Sequence, residues 1–114
     1  MNLICMLGLF PYLYYAIINR SILLGVIFFN GICFHYHNNN YILKYYDICV
    51  NFSLFLYYSY LLGFTYYSFV GMLSYPLNCL AYNKSYISYS TSSLCHIVFS
   101  QWFLLKHTLI IFKY

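Results

Sequence analysis

The chain has 114 residues, of which 64% are hydrophobic, 25% aromatic and only 5% charged. Soluble domains carry roughly 25% charged residues, so this composition argues against a soluble globular enzyme. It argues equally against a disordered segment, which needs low hydrophobicity and high charge. The net charge of +4 comes from five scattered cations, which leaves no electrostatic footprint for nucleic acid. Asp47 is the only acidic side chain, and that rules out paired-carboxylate chemistry within one chain.

The first apolar run covers 1–18 and is interrupted by Pro11. It is close to the ~20 residues that cross a ~30 Å hydrocarbon core, and Pro is tolerated in such helices where neighbours satisfy the freed carbonyl. It has no basic leader and no small-residue cleavage site, so it reads as a retained helix or signal anchor. Asn19-Arg20-Ser21 is a very short polar link, which predicts an antiparallel hairpin with a second helix over 21–36. His37-Asn38-Asn39-Asn40 reads as a loop. Lys44, Tyr45, Tyr46 and Asp47 then form an interfacial entry to a third helix, predicted over 48–73. Within it the window 52–73 carries no charge. Ser59 and Gly63, four residues apart, offer a point of close helix approach.

The Ser- and Tyr-rich stretch 75–93, with Pro76, Asn78, Asn83 and Lys84, reads mostly as a loop. A last helix is predicted over 94–112, ending at Lys113, which can snorkel. The predicted fold class is therefore all-α: a small integral membrane bundle of about four transmembrane helices, within a range of three to five. In the five-helix version, 47–62 and 64–82 cross separately around Gly63. A membrane β-barrel does not fit, because runs such as ILLGVIFF do not alternate. The four-helix count puts Arg20 and Lys84 at one end, and the balance of cations between the two ends leaves orientation open.

Five cysteines, an odd number with no C-x-x-C pair, predict no disulfide framework. Cys5 and the others read as small buried hydrophobes. Ionisable groups inside a membrane are costly and often functional, which singles out His35, His37, Asp47, Asn51, His96 and His107. A hairpin places His35, closing the second helix, and Asp47, opening the third, at one membrane face. Asn51 lies one turn further along. Imidazole and carboxylate are zinc ligands. The metal candidates are therefore His35, Asp47, His96 and His107, with Asp47 the one catalytic candidate. Four helices bring His107 to that face, and five bring His96.

The stretch GICFH, ending at His35, together with Asp47 and the histidines of the last helix, resembles a group of membrane metal hydrolases. The group includes alkaline ceramidases and adiponectin-receptor-like proteins. These carry Ser-x-x-x-His at a helix end, an Asp opening the next helix, and His-x-x-x-His on the last. Here Gly31 stands where the Ser would be, and His96 and His107 are not four apart. The resemblance implies zinc-dependent attack of water on a lipid amide or ester, using His35, Asp47 and one of His96 and His107.

Each of these residues also has a plain structural role. His35 and His37 flank a wet loop. A carboxylate at a helix N-terminus gains ~0.3–1 kcal/mol from the dipole, and Lys44 can pair with Asp47. His107 and Lys106 suit interfacial anchors. The leading expectation is thus a small multi-pass membrane protein without catalytic activity or cofactor. Its surroundings are the lipid bilayer, and its partner is itself or another membrane protein. The alternatives are the metal-dependent hydrolase and a barely selected AT-rich reading frame without function. The last is suggested by 17 Tyr and 11 Phe against 5 Gly and 2 Pro.

Overall fold

The computed structural model describes residues 2–37, 39–64 and 66–112. Lys113, the cation expected to snorkel, and Asn38 of the polar loop lie outside the described residues. Among the described residues all regular structure is helical and there is no strand.

The first apolar run forms α1 (Leu3–Gly8) and α2 (Phe10–Ile18), one rod broken near Pro11. Pro11 has no amide hydrogen to donate, and the Tyr12 amide bonds Leu9 O at 2.9 Å. The carbonyl of Gly8 instead accepts a 3.0 Å bond from Trp102 Nε1, at the start of the last helix. The Asn19-Arg20-Ser21 link leads into α3 (Ile22–Tyr36), with Arg20 at φ 50°. Ser21 Oγ caps α3 by accepting from the Leu24 amide at 3.2 Å. In the same way Asn40 caps α4 (Tyr41–Leu62), accepting from the amides of Ile42 and Leu43. Side-chain caps of this kind contribute ~1 kcal/mol each.

α4 ends at Gly63, whose φ of 84° and ψ of 156° are open essentially to Gly alone. There the chain leaves the helix, and α5 (Tyr66–Asn83) begins. The single helix predicted over 48–73 is therefore two helices. Hydropathy runs through the break, because one glycine torsion reverses a chain without changing its polarity. The loop predicted over 75–93 shrinks to 84–88 in the same way. Pro76 lies inside α5, and α6 (Tyr89–His96) starts at the Ser88 cap. Asn78 and Ser92, read as loop residues, satisfy each other between α5 and α6. Asn78 Nδ2 donates to Ser92 O at 2.9 Å, and Ser92 Oγ to Asn78 Oδ1 at 3.0 Å. α6 continues through a π-helical turn (Ile97–Gln101) into α7 (Trp102–Ile111).

The described chain is thus five helical rods joined by short links. α3 packs on α2 and α4, α5 on α4 and α6, and the first rod lies against α6 and the π turn. Arg20 and Lys84 follow the first and fourth rods, so the five-rod order puts them at opposite ends, not the same end. The core holds Tyr12, Leu24, Ile27, Phe55, Tyr58 and Leu104. Two of its hydroxyls are paired: Tyr58 OH donates to Thr108 Oγ1 at 2.9 Å, while the Thr108 hydroxyl donates to Leu104 O at 2.8 Å.

One helical segment among the described residues is long and apolar enough to cross a membrane. It is Tyr89–Ile111, 23 residues with mean hydropathy 1.4. Leu3–Ile18 and Ile22–Tyr36 are apolar but shorter.

Candidate functional site

At one end of the bundle the start of α1, the end of α3 and the middle of the last rod converge. Asn2 ties them together. Its Oδ1 caps α1 at the Cys5 amide (3.1 Å), its own amide donates to His35 O (2.8 Å), and its Nδ2 donates to Ser93 Oγ (3.3 Å). The result is a cluster that the sequence does not advertise. One ligand atom each from Cys5, His35 and His96 lies within 4.8 Å of the other two. Cys5 and His35 are buried and His96 is partly covered. The Cys5 thiol donates to Ser93 O at 3.8 Å. Phe34 stacks on the His35 ring (4.6 Å between centroids, 24°), and Tyr75 meets the His96 ring edge-on (5.7 Å, 66°). The two imidazoles lie 5.3 Å apart.

Gln101 closes the cluster from the side of the last rod. It ends the π-helical turn, a local widening of the helix of the kind often found at functional sites. Its Nε2 donates to Cys5 O at 3.2 Å and lies 3.3 Å from His35 Nε2. Its backbone carbonyl accepts from the Tyr12 hydroxyl, and its Oε1 is buried without a hydrogen-bond partner.

A cavity of about 260 Å³ adjoins the cluster, and His35, Asp47, Asn51, Tyr75, His96 and Gln101 are among its polar lining residues. Asp47 was expected at a wet helix start, paired with Lys44. α4 instead begins at Tyr41, drawn earlier by the Asn40 cap, so Asp47 lies well inside the helix. It is 5% exposed, and its Oδ1 has no hydrogen-bond partner. Asn51, one turn on, lines the same cavity and leaves its own Oδ1 unpaired.

Of the sequence-selected residues, His35, Asp47, Asn51 and His96 therefore face one cavity. His35 is buried, not solvated as expected from its neighbouring Asn run. His37 is exposed at the end of α3. His107 stands apart: its Nδ1 bonds Phe103 O in its own helix at 2.8 Å, and its ring meets Phe55. Cys5 and Gln101 were not selected. No spacing rule links Cys5 to either histidine, whereas Gln101, a lone amide in an apolar run, was a visible signal.

Compared with protein-family models, with curated proteins and with solved structures, the chain matches none significantly.

Proposed function

We propose that the chain is a small multi-pass membrane protein that works by helix–helix association in the bilayer, with itself or with another membrane protein. The observation that carries this reading is where its apolar and polar groups go. Ile22, Tyr60 and Ile42 are 84%, 81% and 80% exposed. Only 33% of the best hydropathy window within Tyr89–Ile111 is buried, whereas a soluble core helix is mostly covered. Meanwhile His35, Asp47, Ser59, Gln101 and Thr108 are buried. Water-soluble proteins rarely expose so many large apolar side chains, and lipid accepts them freely. Helices in lipid satisfy their backbone internally, and polar side chains there serve as bonds between helices.

The shorter rods fit with some adjustment. Fifteen residues of α3 span roughly 22 Å, several ångströms less than a ~30 Å hydrocarbon core, which local thinning accommodates at modest cost. The longest dimension of the bundle, 39 Å, is close to a bilayer's ~40–45 Å including headgroups.

Two measurements test the proposal. After alkaline carbonate extraction the tagged chain should stay with membranes, and accessibility tags inserted beside Arg20 and Lys84 should label from opposite sides. Release into the soluble fraction would refute membrane integration. Same-side labelling would refute five crossings.

A further inference from the structure

We propose that Cys5, His35 and His96 form a three-ligand site for one borderline-soft divalent cation, Zn²⁺, with a fourth position open to the adjoining cavity. The site does not depend on the membrane reading, because the same groups meet whatever covers the outer surface.

The donor set decides the class of ion. One thiolate and two imidazoles suit zinc, whereas calcium and magnesium require oxygen cages. The geometry is near closure. At bond lengths of about 2.0–2.3 Å, ligand atoms around tetrahedral zinc lie roughly 3.3–3.7 Å apart. Here they already lie within 4.8 Å of one another, a gap that small side-chain rotations close. Asn2 and Gln101 hold the ligands from behind through their backbone carbonyls: Asn2 bonds His35 O, and Gln101 bonds Cys5 O. Binding displaces the Cys5 thiol proton, now directed at Ser93 O, and releases it to solvent as the metal–sulfur bond forms.

A second, independent observation is the set of unpaired oxygens. Gln101 Oε1 and Asp47 Oδ1 belong to buried residues that line the cavity, and neither has a hydrogen-bond partner. Buried acceptors are normally paired. A water in the fourth coordination position brings two O–H donors into the cavity that these two residues line, within reach of small rotations of their side chains.

Charge points the same way. Asp47 is the chain's one acidic side chain, and burying a lone carboxylate is costly. A divalent cation, the Cys5 thiolate and the Asp47 carboxylate sum to zero. The cation thus supplies counter-charge to the cavity that Asp47 lines.

The test uses the full chain in mild detergent, stripped with chelator and titrated with Zn²⁺ alone, then with Co²⁺ alone as an optical probe. One equivalent of zinc should bind. Cobalt should show a near-ultraviolet thiolate-to-metal band that Cys5→Ser removes. Zinc stoichiometry should fall to a trace in Cys5→Ser, His35→Gln and His96→Gln, and remain at one in Cys33→Ser and His107→Gln. Because a substituted chain can misfold, alkylation of the unmutated chain gives a second readout: in mixed micelles with enough SDS to make buried Cys5 reactive without zinc, zinc should shield Cys5 alone among the five cysteines. Absence of saturable zinc binding, binding that survives Cys5→Ser, or shielding of other cysteines in place of Cys5 would each overturn the assignment.

Discussion

Gly8 and Gly25 provide a matched pair of substitutions. A Cβ built on Gly8 falls 2.5 Å from Ile97 Cγ1, 2.7 Å from Gln101 Oε1 and 2.8 Å from Ile97 Cδ1, inside the 3.0 Å that real contacts respect. Both neighbours are side chains with little room to yield: Ile97 is buried in the π turn, and the Gln101 amide is held by Cys5 O through Nε2. Gly8→Ala therefore forces α1 away from the last rod, an overpacking that costs typically 1–3 kcal/mol. Gly25, in the middle of α3, has nothing within 4 Å of its Cβ position. In water Gly25→Ala should stabilise the helix by about 0.5–1 kcal/mol. In lipid the gain should be smaller, because membrane helices stay helical when apart. The assay is unfolding by SDS in mixed micelles, followed by fluorescence of the single tryptophan. Trp102 bonds Gly8 O, so its emission reports on this interface directly. Gly8→Ala should weaken folding by about tenfold or more, equivalent to roughly 1.4 kcal/mol, and Gly25→Ala should not. If the two variants behave alike, α1 does not pack on the π turn as described.

Two further predictions concern the same wall of the bundle. Trp102→Phe leaves the Gly8 carbonyl without its donor and should cost about 1–3 kcal/mol, read as a lowered midpoint of thermal aggregation in detergent; an unchanged midpoint would show that the indole bond carries no stability. Gln101→Leu removes the amide that bonds Cys5 O and approaches His35 Nε2. By analogy with the partners that orient metal ligands, it should weaken zinc about 10–100-fold without abolishing it. Equal zinc affinity in the competition titration would remove Gln101 from that role.

The all-helical class was legible in the sequence, because long apolar runs without alternation leave the backbone no other economical pairing. His35, Asp47 and His96 stand out in the sequence too, since ionisable side chains in an apolar chain are conspicuous. Which of them meet was not legible there. A hydropathy reading sees polarity, and Gly63 reverses the chain by torsion alone. Each added reversal exchanges the ends of everything that follows. That one glycine therefore decides that His96, and not His107, reaches His35, and that Arg20 and Lys84 lie at opposite ends. Capping is similarly hidden. Asn40 and Ser88 look like loop residues, but their oxygens accept from helix amides, which starts α4 and α6 early and takes Asp47 inside. Cys5 is the extreme case. Its chemistry depends on residues 35 and 96, far along the chain, and only the packing of α1 against α3 and α6 brings them within reach. Local composition determines which segments are helical and apolar. The number of chain reversals and the close approach at Gly8, both tertiary, determine which side chains share a site.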